Sequence, residues 1–178
     1  MIRSLQDSEM PQTEATAADR DALLVGNPDR TAALYRLTDR LYRARAMSEV
    51  YDAALDAITE SLDCGRASVL LFDSENVMRF VAWRGLSDNY RATLEGHTPW
   101  KPGDRDPEPI FVSDIDLTSE SQLVKETIKA EDIRGLAFVP LMSEGSVIGK
   151  FMTYYGDVRD FPEEERALAL NIARQVGF

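Results

Sequence analysis

Apolar positions along this chain recur with two periods, about 3.6 and 2 residues, and the switches between them mark out the elements. From Thr31, Leu34, Leu37 and Leu41 return at spacings of three and four, with Arg36, Asp39, Arg40 and Arg43 on the other faces, which predicts an amphipathic helix. Ser48 is the expected N-cap of a second helix with a stripe of Tyr51, Leu55, Ile58 and Leu62, ended by Asp63-Cys64-Gly65. Ala67 to Phe72 is a short apolar run rich in strand formers, and Val77 to Arg84 is a second strand. The turn residues Asp73 to Asn76 between them predict a hairpin. After Gly85, Ser87 is expected to cap a short helix that carries Tyr90 and Leu94 and stops at Gly96.

The segment His97 to Pro109 is irregular, because Pro99, Pro102, Pro107 and Pro109 suit neither a helix interior nor a central strand. Ile110 to Val112 is a brief strand. Ser119 and Gln122 have capping-box spacing ahead of a helix whose stripe is Leu123, Val124 and Ile128 and which ends near Ala130. Two more strands, Leu136 to Met142 and Val147 to Tyr155, flank Ser143 to Ser146, where Gly145 supports a hairpin. Pro162 opens a last helix in which Glu163, Glu164 and Glu165 complement the positive helix end, and Leu168, Ile172 and Val176 form one face. No stop signal precedes Phe178, so this helix is expected to continue into a longer parent chain. Residues 1–28 are polar and acidic and are expected to be a leader or linker, with a helix over Ala15 to Val25; residues 29–178 are the expected domain. Hairpins separated by helices predict an α+β fold: a largely antiparallel central sheet of about five to six strands with helices on both faces.

Composition narrows the function classes. The 178 residues carry 31 acids and 20 bases, a formal charge of -11, which repels phosphate backbones and anionic lipid heads. No run approaches the roughly 18 consecutive apolar residues of a membrane span, and the N-terminus lacks a secretory apolar core. Neither nucleic-acid binding nor membrane insertion is expected, and the expected location is cytoplasmic. A single cysteine, Cys64, excludes an internal disulfide framework and any multi-cysteine metal site.

Three stretches together resemble the GAF family of sensory domains. Gly65-Arg-Ala-Ser-Val-Leu-Leu-Phe-Asp73 resembles its first strand. The stretch Leu136 to Met152, with Pro140-Leu141, a Gly-containing turn and then Val147-Ile148-Gly149, resembles its most recognisable signature. Phe161-Pro-Glu-Glu-Glu-Arg-Ala-Leu168 followed by Ile172-Ala-Arg-Gln175 resembles its closing helix, with Pro162 where the family usually has Ser or Thr. Physically, Pro140 removes a ladder donor, which suits an edge or a bulge, and Gly149 within a strand implies close approach of a neighbour. The resemblance implies a GAF/PAS-like, non-catalytic module that regulates an attached output domain, in particular a two-component sensor histidine kinase. It also implies homodimers formed through the first and last helices, for which Leu34, Leu37, Leu41, Leu168, Ile172 and Val176 are the candidates.

Sharper chemistry is tested against single residues. The resemblance would put an Asn-Lys pair just after the last strand of a cyclic-nucleotide binder; Tyr155-Gly156 stand there, so that ligand is disfavoured although Phe161 and Glu165 fit the rest. Covalent bilin attachment would need a cysteine beyond the second strand, whereas Cys64 precedes the first, so bilin is disfavoured too. Methionine-sulfoxide reduction needs several cysteines. His97, the only histidine, could serve as a haem axial ligand, or simply as a loop residue bonded to backbone or solvent. Asp104, Asp106 and Glu108 could hold a hard cation but lack a calcium-loop pattern, and a solvated loop is the better reading. No nucleophile–base set and no metal site is expected.

A small-molecule ligand of unknown identity is the expected input, and its pocket candidates are Phe72, Trp83, His97, Trp100, Phe111, Phe138 and Tyr155. Each aromatic has a plainer use as core. The alternatives to ligand-driven sensing are a ligand-free dimerisation spacer and, further off, a haem sensor.

Overall fold

The computed structural model describes residues 28–177, with side chains from Arg30 onward; the expected helix over Ala15 to Val25 lies outside them. Elements follow as α1 (Pro28–Arg43), α2 (Met47–Ser61), β1 (Arg66–Phe72), β2 (Met78–Arg84), α3 (Asp88–Leu94) and β3 (Ile110–Val112). A single 3-10 turn (Ile115–Leu117), α4 (Gln122–Ala130), β4 (Gly135–Ser143), β5 (Ser146–Tyr155) and α5 (Glu163–Val176) complete the order. The five strands form one sheet in the order β2-β1-β5-β4-β3, and every neighbouring pair is antiparallel. This is the α+β fold that the sequence pattern predicts.

Side-chain alternation divides the sheet into two faces. Ala67 and Val69 of β1, Ala137, Val139 and Leu141 of β4, and Phe151 and Tyr155 of β5 join Leu37, Leu55, Ile58, Leu168 and Ile172 in the larger core, beneath α1, α2 and α5. The intervening residues Leu70, Leu136, Met152 and Tyr154 join Tyr90, Leu94, Ile115, Ile128 and Ile133 on the opposite face, beneath α3, the 3-10 turn and α4. Helices thus cover both faces, but the second cover is built from helices of only 7 and 9 residues.

Local chemistry explains most boundaries. Asp73 accepts hydrogen bonds from the Glu75 and Val77 amides and so closes the β1–β2 turn, where Asn76 takes a positive φ of 62°. The β4–β5 connection is a two-residue turn, with Glu144 and Gly145 both at positive φ, as a twisted hairpin requires. Ser87 caps α3 as expected, accepting from the Tyr90 amide at 3.1 Å.

Three expectations shift. The residue before α2 is Ala46, with no side-chain cap, and the expected cap Ser48 lies inside the helix; Glu49 turns back to accept from the Arg45 amide at 2.7 Å. For α4 the cap is Ser121, accepting from the Val124 amide, and not Ser119. That start also turns Leu123 outward and buries Thr127 beside Ile128. Pro162 sits at the cap position of α5, extended at ψ 155°, one residue before the first helical position where it was expected.

Pro140 lies where β3 has already ended, since β3 reaches only Phe138; its missing donor falls on a free edge of β4, next to a register shift at Leu141/Met142. Gly149 is packed still more tightly. A Cβ there would lie 2.2 Å from the Leu70 carbonyl oxygen and 2.6 Å from Leu71 Cδ2. The obstruction is main chain and cannot rotate away, so Gly149→Ala is expected to cost about 3 kcal/mol or more of stability. Urea denaturation tests this: a midpoint within error of the native protein's would refute the account.

Candidate functional site

The short cover over the second sheet face leaves a cavity of about 410 Å³. Its floor is the sheet, through Leu70, Phe80, Leu136, Phe138, Lys150 and Met152; its walls come from α3, α4, the 3-10 turn and the loop residues His97, Thr98 and Pro99. The volume lies within the range typical of small-molecule sites, as does a lining that is mostly apolar with a few convergent polar groups. Those groups are Thr98, Thr118, Ser119, Glu120, His97 and Lys150.

The irregular segment from His97 is held in place at its start and near its middle. The Gly96 amide donates to the Met78 carbonyl at 2.9 Å, and the Val147 amide donates to the Asp104 carbonyl at 2.8 Å. His97 reaches Glu120 at the cavity rim, Nε2 to Oε1 at 3.5 Å, and both side chains are partly exposed. Asp104 accepts from the Lys101 amide and serves the loop itself. Among the described residues no group of three or more His, Cys, Asp and Glu is placed to hold a metal ion.

Lys150 was not among the sequence candidates, and it is the unusual residue here. It is only 1% exposed, in the middle of β5 between Gly149 and Phe151. Its Nζ donates to the His97 main-chain oxygen at 2.8 Å and lies 4.7 Å from the centre of the Phe138 ring. Burial alone lowers its pKa from the ordinary 10.5 to about 7, with no neighbouring charge offsetting the shift. On the same sheet face as Lys150, Tyr90 and Tyr154 meet edge to face at 5.7 Å, and the Tyr154 hydroxyl lies 2.7 Å from Ser68 Oγ.

The sequence candidates scatter. His97 and Phe138 line the cavity, and Phe72 packs against the same core without reaching it. Trp100 is buried in the proline-rich segment without lining the cavity, and Trp83 is exposed on β2, where the Arg91 guanidinium stacks on it at 3.7 Å. Phe111 and Tyr155 lie across the sheet. Phe111 packs on Phe161 at 5.2 Å, while the Tyr155 hydroxyl meets the Leu62 carbonyl and the buried Glu165, itself paired with Arg159. Cys64 is in that larger core as well, away from the cavity, its thiol pushed up to about 12 by burial.

Of the residues proposed for a dimer contact, Leu37, Leu168, Ile172 and Val176 are buried in the chain's own core, and Leu34 and Leu41 are partly buried against it. The large apolar side chains that α1 exposes are Tyr35 and Tyr42, 75% and 91% open to solvent. Helix periodicity alone does not name the partner: α5 packs on β4 and α1 packs on α2 and α5, so these apolar faces meet the chain's own elements.

The pKa of Lys150 has a consequence for stability. The unfolded chain holds this proton up to about pH 10.5 and the folded chain releases it near 7. Between those values the unfolded state binds more protons, so stability rises with pH, by up to about 1.4 kcal/mol per unit. Lys150→Met removes this slope. It is expected to be more stable than the native protein at pH 7, with an advantage that shrinks as pH rises towards 10. Chemical denaturation of both proteins across that range decides the matter, and parallel curves would sink the prediction.

The GAF domain family matches residues 44–178. A domain of a protein named as a two-component sensor histidine kinase, from Sinorhizobium meliloti 1021, is 51% identical with a TM-score of 0.71, over 75% of this chain and 90% of that one. The GAF domain of a phosphoenolpyruvate-protein phosphotransferase from Coxiella burnetii is 19% identical, TM-score 0.65, over 84% and 90%. The third GAF domain of Slr1393 from Synechocystis sp. PCC6803, in its photoproduct state, is 20% identical, TM-score 0.60, over 74% and 91%. These last two share the fold. No curated protein matches the chain.

Proposed function

This chain belongs to the GAF domain family, and from that premise we propose that it is the small-molecule input module of a two-component sensor histidine kinase. The observation that carries the reading is the cavity on the second sheet face, large enough for a metabolite and floored by β5. The relationship to the Sinorhizobium meliloti domain, at 51% identity, supports the kinase context. The chain's part is binding and transmission, with no chemistry of its own.

The proposed mechanism is a shift between two conformations. A ligand drives it only by binding one of them more tightly. In β5, Lys150 and Met152 face the cavity while Phe151 and Tyr155 face the core shared with α1, α2 and α5. Displacing the strand on one side therefore loads the helices on the other. Those helices are the proposed route to an attached output domain and, in a homodimer, to the partner copy. With the inner leucines used within the chain, the outer face of α1, with Tyr35 and Tyr42, is the proposed dimer contact. A cavity of this size favours ligand-driven sensing over a ligand-free dimerisation spacer.

Native mass spectrometry of the protein purified from its own host tests the reading. The expected spectrum shows a dimer carrying a small molecule that is lost on denaturation. A bare monomer at micromolar concentration would overturn both the ligand and the dimer.

A further inference from the structure

The cavity's polar groups are unevenly placed, and their arrangement restricts what can enter. Glu120 and His97 sit at the rim, partly exposed and close enough to answer one another. Lys150 is at the floor, 1% exposed, with a single protein acceptor in the His97 carbonyl and the Phe138 ring face beside it. An ammonium carries three N–H donors, so one acceptor leaves most of its capacity unused. Among the described residues no carboxylate comes within ion-pair distance of it, although the chain carries 31 acidic residues and a formal charge of -11. A lone cation buried in a mostly apolar chamber of an acidic protein weakens the empty fold, because an apolar side chain of similar volume would be better tolerated. An anion arriving from outside would complete it with a charge-assisted hydrogen bond.

We propose that the cavity takes a small organic monocarboxylate with an apolar body, its carboxylate on Lys150 Nζ and its hydrocarbon or aromatic part against Leu70, Phe80, Val112 and Met152. The inference rests on the reading of this cavity as an input pocket and narrows it to one ligand class. A monoanion fits better than a phosphate ester. One buried cation and a few hydroxyls, Thr98, Thr118 and Ser119, match one carboxylate, whereas a phosphate asks for several cationic or main-chain donors. The remaining titratable side chains that line the chamber are Tyr90, His97 and Glu120. Glu120 and His97 face one another at the rim, 3.5 Å apart, so an entering carboxylate passes both before it reaches the lysine.

Binding of a carboxylate holds Lys150 in its charged form. Because the empty site loses its proton near pH 7, binding at pH 8 is expected to take up about one proton from the buffer, and binding at pH 6 close to none. The affinity for an acid accordingly falls as pH rises above 7, whereas that for a neutral isostere does not.

Isothermal titration calorimetry with four probes tests this: 3-phenylpropanoate and octanoate, and the amides 3-phenylpropanamide and octanamide. The experiment is run in two buffers of different ionisation enthalpy. The acids are expected to bind at least tenfold more tightly than their amides at pH 7, with proton uptake at pH 8. In Lys150→Met the preference and the uptake both disappear, while the amides bind no worse than to the native protein. The native protein's acid–amide ratio and proton count need no variant, so a misfolded variant would not shield the inference. Amides binding as tightly as acids, or acids binding without proton uptake, would overturn it and leave the cavity's sensory role standing. Failure of all four probes at millimolar concentration would overturn it as well, while the broader reading stands or falls on the mass spectrum of the protein from its host.

Discussion

Burial on both faces of one sheet is the constraint on which the rest of this structure depends. In β5 every residue from Gly149 to Tyr155 is buried, and β1 and β4 are buried over most of their length. Such a sheet needs a layer of side chains above it and another below. Below, α2 and α5 supply 15 and 14 residues of helix, with the 16-residue α1 packed on both of them. Above, α3 and α4 supply 7 and 9, and a proline-rich segment that cannot become a helix fills in beside them. The cavity lies where that lighter layer falls short. The cavity is thus a product of unequal cover, and its floor is the sheet itself.

The most tightly fixed part of that floor is the crossing of β1 and β5. Gly149 lets the Leu70 main chain come close enough that no side chain fits between, and the register of β1 shifts at Val69/Leu70 beside it. The next residue along is Lys150. The only charged side chain within β5 therefore projects from the strand's least adjustable point, which fixes its ammonium against the His97 carbonyl. A lysine on a loop would escape to water along its flexible stem. This one cannot.

Much of this was legible from residue pattern alone. The hairpin of β4 and β5 shows itself in Pro140, Gly145 and Gly149, each of which has a backbone reason for its place in the structure. Helix starts were harder. Ser119 and Ser121 are chemically equal as caps and Ser121 is the one used, while α2 starts after Ala46 with no side-chain cap at all. The aromatic candidates scatter over both faces because aromatic content was weighed without strand parity. Phe138 and Tyr155 both belong to the central hairpin, yet their registers send them to opposite faces. Parity would also have set Lys150 on the same face as Met152 and Tyr154. Its signal was present in the sequence as a lone charge amid Val147-Ile-Gly-Lys-Phe-Met-Thr-Tyr-Tyr155. The dimer candidates failed to stand free for a related reason, since an apolar helix stripe does not say whether its partner is a sheet or a second chain.

The buried thiol of Cys64 has a practical side. It is the only cysteine in the sequence, enclosed between α2 and β1 in the larger core, and its high pKa leaves almost no thiolate at neutral pH. Maleimides and spin labels react through thiolate and need access, so the native chain is in effect blank to them. A single cysteine introduced on the outer face of α1 would then be the sole point of attachment, and distances between two such labels could follow helix movement without first re-engineering the core.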